Sequence, residues 1–491
     1  MKRALLPITV VTILSIFIYS CSSDDDDSAP PSVIQTPTDE PDLNGQSESK
    51  MVDYFSDKGY GNAVKTLQHP AGEHYNGITY VAYQGPLEDP FVAAYIHATN
   101  KWIGPFKAGE SVLGKNPDEE IDNHGKPAMI IDGEGYIHVV FGGHGGLPIH
   151  GNNPLGNTHG GKMVHVVTKN PLDISSWEVL DNIPPFGTYN QFVKMDNGDI
   201  YLFYRHGAHK SNWVYQKSSD NGRNFEPPVS IFETNHFGGY DDAWYAWFEK
   251  TTKDKIIAVY NYHKCKNGGH DGERHNGYYM VMDLATAKWR NIEGDELEMP
   301  ITKEYADLNT LVIDTGDKWS VRGTGAIDGN GNPHVFFYIE EDIESNQNQG
   351  SGDKELHTFR FTGEAWVGGK TNLPKSSKGV MHVSESNNSK MLIAYKDENL
   401  GKIIWWNKVV EDDGEVFEEA DLAIFEFHKT SFLLSSLIRN AEPEAKWLAV
   451  GKKGSSDFGK MYLLGDQGAI QRLESEANQN DDGSLSIVTE N

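Results

Sequence analysis

Short apolar runs alternate with clusters of turn residues along most of the chain. One run, Ala128-Met129-Ile130-Ile131, breaks at Asp132-Gly133-Glu134-Gly135 and returns as Tyr136-Ile137-His138-Val139-Val140-Phe141. A second runs from Tyr189 to Met195, breaks at Asp196-Asn197-Gly198-Asp199 and returns from Ile200 to Arg205; a third pairs Trp244-Tyr245-Ala246-Trp247-Phe248 with Ile256–His263. Asp-Gly and Asn-Gly between apolar runs predict β-hairpins, because these residues tolerate the positive φ of tight turns. Aligning one apolar strand per unit gives seven copies, beginning at Ile78, Tyr136, Ile200, Ile256, His334, Met391 and Trp447. They lie roughly 55 to 65 residues apart, with one longer interval near residue 300, and no amphipathic helical stretch competes with them. This pattern predicts an all-β fold, a seven-bladed β-propeller. Ser218-x-Asp220-x-Gly222-x-x-Phe225 matches an Asp-box turn, a folding device found in propellers of many functions.

The ends of the chain read differently. Lys2, Arg3 and the apolar stretch from Leu5 to Tyr19 have the form of a signal peptide over residues 1–20. Ile18-Tyr19-Ser20-Cys21 resembles a bacterial lipobox, which makes Cys21 the acylated first residue of the mature chain and places it at the outer membrane. The acidic stretch Asp24-Asp25-Asp26-Asp27 resembles those that send lipoproteins to the cell surface. Residues 21–50 are polar and cannot bury a core, so they are expected to form a flexible tether. Residues 51–473 carry the propeller, and 474–491 form a polar tail expected to fray. Cys265 is the only other cysteine, so acylation of Cys21 leaves no intramolecular disulfide. The formal charge of -28 argues against nucleic acid as a partner, and any polyanionic ligand would need a local cationic pocket. A monomer is expected.

Chemistry is expected at the open ends of the hairpins, where first and last residues lie side by side. That places His124 beside His144, Tyr189 beside Arg205, with His206 next in the chain, and Tyr245 beside His263. If the hairpins stack around one axis, these side chains reach one mouth. Singly, each has a plainer reading: a turn histidine, a packing tyrosine, a structural ion pair. Hydrolysis of a glycoside normally uses two carboxylates, and here only Glu233, Asp241 and Asp242 could supply them. Eliminative cleavage at a uronic acid needs a cation to neutralise the carboxylate, a base for the C5 proton and an acid for the departing O4. Arg205, with a planar fork suited to a carboxylate, His124 and Tyr189 match those roles. His124 is assigned as base and Tyr189 as acid, with the reverse left open; His144, Tyr245 and His206 would hold the substrate.

A second constellation is His263-Lys264-Cys265 followed by His270 and His275, a soft, zinc-like donor set within one loop, or a chance cluster.

Several segments together carry a family resemblance: Asn123-His124-Gly125-Lys126-Pro127, Gly142-Gly143-His144-Gly145, Gly187-Thr188-Tyr189-Asn190-Gln191-Phe192, Tyr204-Arg205-His206-Gly207 and Asp241-Asp242-Ala243-Trp244-Tyr245. In this order they resemble the seven-bladed ulvan lyases of polysaccharide lyase family 25, and next the related family 24, over roughly residues 55 to 470. The resemblance implies a lyase that cuts ulvan, a sulfated polymer of rhamnose and uronic acid. It carries catalytic and substrate-binding roles onto His124, His144, Tyr189, Arg205 and Tyr245. It also implies one structural zinc at His263, Cys265 and His275, with His209 or His270 as fourth ligand, and no organic cofactor. Two other classes compete: a sialidase-type propeller glycosidase, and a non-catalytic surface glycan-binding lipoprotein with Trp244, Trp247, Trp405 and Trp406 as sugar platforms.

Overall fold

In a computed structural model of the chain, residues 50–115, 121–122, 124–237, 239–251, 255–266, 273–340, 354–376, 378–384, 388–409, 415–480 and 483 are described. Their strands form seven antiparallel sheets of four to six strands, at 72–107, 128–180, 188–232, 236–313, 319–370, 379–428 and 431–465, numbered here as blades 1 to 7. The innermost strands of blades 1 to 6 touch in turn around one axis, and a parallel bridge from Glu73 to Arg439 links blade 1 to blade 7. The fold is a seven-bladed propeller.

Each of the seven apolar segments aligned in the sequence lies in the strand paired to the innermost one. Val81, Val139, Leu202, Ala258, Phe336, Leu392 and Leu448, one from each segment, are all fully buried. Neighbouring blades cover both faces of these strands, so they read as continuous apolar runs rather than strict alternation. The long interval near residue 300 is an insertion in blade 4. It holds the helix Lys303–Asn309, whose amide at Tyr305 is capped by Thr302, and the strand Leu311–Ile313, which pairs with Arg274–Asp283.

Ring closure joins the two ends of the described chain. Ser56–Tyr60 pairs with Phe458–Gly465 as an outer strand of blade 7, and Met51–Val52 pairs with Arg472–Leu473. The Arg472 guanidinium donates to the carbonyls of Phe55 and Gly104 at 3.0 and 2.7 Å. The edge strand that an open propeller would expose is thereby paired. The expectation of a frayed tail from residue 474 is corrected up to Asn480: Glu474–Ala477 is a helical turn, Ala477 is buried, and Gln479 accepts from the Tyr83 hydroxyl at 3.2 Å. The Asp box closes as expected, with Ser218 Oγ donating to Asp220 at 2.8 Å and the Gly222 amide donating to Ser218 at 2.9 Å. No helix among the described residues is long and apolar enough to cross a membrane. The expected signal peptide, Cys21 and the tether as far as residue 49 lie outside the described residues.

Candidate active site

Three adjacent blades deliver the candidate side chains to one cluster, and the backbone explains how. Beyond the last pair of this hairpin, Ala128 with Val140 in blade 2, the Gly142 amide donates to the Gly125 carbonyl at 2.9 Å, and His124 and His144 meet ring to ring. Gly142 sits at φ 82°, in the left-handed region, at an irregularity between Phe141 and Gly143. A Cβ on Gly143 would lie 2.2 Å from the carbonyl oxygen of Gly187. Only glycine there lets the end of blade 2 lie against the start of blade 3. Two residues later, Tyr189 occupies φ 61° at a bulge between Thr188 and Gln191, so Thr188, not Tyr189, pairs with Arg205. A tyrosine in that conformation costs on the order of 1–3 kcal/mol, and such strain gathers at functional sites. The bulge re-aims the Tyr189 ring towards its neighbours.

The result is a stack of rings over a cation. His124 and His144 lie nearly parallel with centroids 3.7 Å apart, and His159 stacks on His144 at 4.3 Å. Tyr189 is 5.5 Å from His124 and 5.6 Å from Tyr245. The Arg205 guanidinium lies 4.9 Å from the Tyr189 ring and 5.7 Å from the Tyr245 ring. Arg205 is fully buried, and among the described residues none of its three side-chain nitrogens has a hydrogen-bond partner. A second buried arginine, Arg274, donates to the Tyr245 hydroxyl at 3.3 Å, with His209 Nε2 3.4 Å from the same oxygen. Burial alone would raise the Tyr245 phenol, but the charges of Arg274 and Arg205 bring it below its ordinary value.

One carboxylate organises the histidines. Asp122 accepts from His124 Nδ1 at 2.7 Å through one oxygen and from His144 Nδ1 at 2.5 Å through the other. Burial would raise the Asp122 carboxyl, yet the hydrogen bonds from the two histidines hold it far below the carboxylate range. Burial drives His124 down to about 3 despite the Asp122 bond, so its imidazole is neutral at ordinary pH. His144 Nε2 is buried without a partner among the described residues. Two of the three other acids weighed as hydrolytic groups are engaged elsewhere. Asp241 pairs with Lys210 at 2.5 Å and His236 at 2.7 Å, and Asp242 accepts from the Tyr262 hydroxyl at 2.5 Å. The cluster therefore offers imidazoles, phenols and guanidiniums, with its one described carboxylate committed to the histidines.

Comparison with known proteins places this geometry. A model described as a BNR repeat-containing family member matches residues 154–372. The chain is 47% identical over 445 residues to an ulvan lyase of Nonlabens ulvanivorans, covering 88% of this chain and 93% of that one. It is 46% identical to an ulvan lyase of family PL25 from Pseudoalteromonas sp. (strain PLSV), covering 88% and 90%. A solved PL25 ulvan lyase bound to -[GlcA(1-4)Rha3S]- superposes with a TM-score of 0.81 at 46% identity, over 86% of this chain and 98% of that one. This chain belongs to the ulvan lyase family.

Several residues expected at the ulvan lyase site behave differently from the sequence reading. His206 is buried on the other face of its strand, bonded to Asn153 at 2.9 Å and packed by Tyr204 and Phe186. Strand alternation forces this, because its neighbour Arg205 faces the cluster. The Arg205 fork, expected to be open to a carboxylate, is covered by the two tyrosines. Tyr245 lies within the long strand Tyr240–Lys250 rather than at its start; it pairs with Asn261, and His263 is a diagonal neighbour at 5.9 Å. Trp244 and Trp247 are buried and cannot serve as sugar platforms. Asp122, His159 and Arg274 were not legible as site residues. Asp122 carries a faint signal, standing two positions before His124, while Arg274 reaches the cluster only through its pairing with His263.

The four residues read as zinc ligands are not gathered together. His275 pairs with Tyr262 and shares its face, its Nε2 lying 3.2 Å from Glu273, whereas His263 pairs with Arg274. A bulge between Tyr260 and Tyr262 sets this register. His209 and His263 do meet, with ring centroids 6.1 Å apart, and Cys265 lies two residues along the same face, buried. His270 lies outside the described residues. Among the described residues, Asp122, His124 and His144 bring three possible metal donors within 4.8 Å of one another.

Proposed function

We propose that the protein cleaves ulvan by β-elimination at a uronic acid, leaving an unsaturated uronate at the new non-reducing end. One observation carries this reading: two buried guanidiniums lie against two phenols, beside two imidazoles, and among the described residues neither has a carboxylate partner and no acid pair stands ready to hydrolyse a glycoside. In the proposed step, His124 Nε2 takes the C5 proton. The electron pair of that C–H bond forms the C4=C5 double bond, the C4–O4 bond breaks, and the Tyr189 hydroxyl protonates O4. Arg205 and Arg274 act from behind the tyrosine rings, supplying the positive potential that the enolate-like intermediate requires at its carboxylate. His144 and Tyr245 hold the uronate. The test is ultraviolet absorbance on incubation with ulvan, since only elimination creates a conjugated double bond. Retained binding without new absorbance would instead support a glycan-binding lipoprotein, and new reducing ends without absorbance a hydrolase.

We also propose a structural zinc held by His209, His263 and Cys265. Two imidazoles on one tetrahedral ion place their ring centres about 5 Å apart; His209 and His263 stand at 6.1 Å with the buried Cys265 on the same face, so a small inward shift would complete a soft donor set. The ion would brace blade 4 against the loop after Arg205. Cys265→Ser should lower both bound zinc and melting temperature; wild-type protein purified without stoichiometric metal would end the idea. Cys21 is proposed as the lipid anchor to the outer membrane of a monomeric protein, tested by loss of palmitate labelling in Cys21→Ala.

A further inference from the structure

The histidine pair stands on a support that the proposed reaction does not itself require. Asp122 is the one described carboxylate in the cluster, and both its oxygens are occupied by Nδ1 atoms of stacked rings. A carboxylate only accepts, so each Nδ1 must carry its proton. In the neutral form of each ring, Nε2 is then the acceptor. His144 Nε2 is enclosed and unpartnered, as expected of an atom reserved for a ligand. The ring separation of 3.7 Å suits neutral imidazoles and would be opposed by charge on both. Asp122 is itself built in. Its amide donates to Glu88 Oε1 at 2.6 Å, its carbonyl accepts from Gln84 Nε2 at 3.2 Å, and its Oδ1 also accepts the amide of His124 at 3.0 Å. Glu88 and Gln84 are both buried.

We propose that Asp122 is a positioning residue that fixes His124 and His144 together in the Nδ1–H tautomer, presenting two Nε2 lone pairs side by side to the substrate. One ring takes the proton, and the other is held ready to accept a hydrogen bond from the same sugar. The inference rests on the lyase reading for its consequence in catalysis, but the tautomer itself can be observed without substrate.

Asp122→Asn separates this role from a purely structural one. The asparagine is nearly isosteric and keeps one accepting oxygen, but its other terminus is an NH₂ donor. One histidine must then move its proton to Nε2, and the pair becomes one acceptor and one donor. Nitrogen spectra of ¹⁵N-histidine-labelled protein, assigned with His124→Gln and His144→Gln, should show both rings as neutral Nδ1–H in wild type and one of them switched in Asp122→Asn. On ulvan, kcat should fall about 100-fold or more with KM changed less than about 3-fold, while the melting temperature stays within a few degrees. Asp122→Ala should lose the tautomer of both rings. Wild-type rings found as Nε2–H would overturn the inference, as would an Asp122→Asn enzyme with near-normal kcat. A stoichiometric metal in wild type that Asp122→Asn loses would also overturn it, making the three residues ligands. Wild type inactive on ulvan but with both rings Nδ1–H would sink the lyase reading and leave the tautomer assignment standing.

Discussion

A guanidinium enclosed by protein without a hydrogen-bonding anion is held against a desolvation cost, and Arg205 is in that position. Its compensation comes from the faces of Tyr189 and Tyr245, which present the negative side of their ring quadrupoles. With Arg274 bonded to the Tyr245 hydroxyl, the two arginines make that phenol easier to ionise. This gives two linked expectations. Arg205→Lys should lower kcat about 100-fold, because an ammonium cannot lie flat beneath two rings and loses electrostatic stabilisation of the intermediate. In an ultraviolet titration, wild type should show one tyrosine ionising below the ordinary phenol range. That component should vanish in Tyr245→Phe and move up in Arg274→Gln. A titration unchanged in both variants would remove the arginines from any role on Tyr245. At this scale the sequence showed which residue types assemble, since His124, His144, Tyr189, Arg205 and Tyr245 all lie in one cluster. It did not show that Arg205 lies beneath the tyrosines, because depth within a blade leaves no mark on the order of residues.

At the scale of strands, the apolar runs were legible because neighbouring blades bury both faces of the second strand in each sheet. Their irregularities were not. The bulge at Tyr189 and the one between Tyr260 and Tyr262 each insert a residue without an apolar or turn signature. The first moves Tyr189 out of register with Arg205, and the second turns His275 away from His263. Where a glycine forces the backbone approach, the consequence can be measured. In Gly143→Ala, the new Cβ would meet the Gly187 carbonyl at 2.2 Å, far inside contact distance, so blade 2 must withdraw from the start of blade 3. We expect a loss of about 1–3 kcal/mol in stability and, because Tyr189 follows two residues after Gly187, a larger fractional loss in kcat than in binding. A variant with wild-type melting temperature and turnover would show that the two blades do not need this approach.

Across the whole molecule, acid acts on two opposing terms. The chain carries a formal charge of -28, and protonating exposed carboxylates relieves self-repulsion, which by itself would stabilise the fold as pH falls. Against this stand histidines buried in neutral form. Burial lowers His69 and His206 to about 4, and His124 and His165 to about 3, from an ordinary value of 6.5. Between those values the unfolded chain binds the proton and the folded chain does not, so stability is lost as pH falls from 6.5 towards 4. Glu88 opposes them. Burial raises it to about 7, so between about 4.5 and 7 the folded state binds its proton more readily than the unfolded state, stabilising the fold on acidification. For these five groups the balance near pH 5 is about three protons taken up on unfolding, a slope of about 4 kcal/mol per pH unit. The melting temperature should therefore be nearly flat above pH 7 and fall steadily below 6.5, well before the exposed carboxylates titrate. His165→Gln, which removes one buried imidazole in blade 2 away from the catalytic cluster, should make that fall shallower. A melting temperature that instead rises from pH 6.5 to 4 would mean that charge relief outweighs the buried histidines.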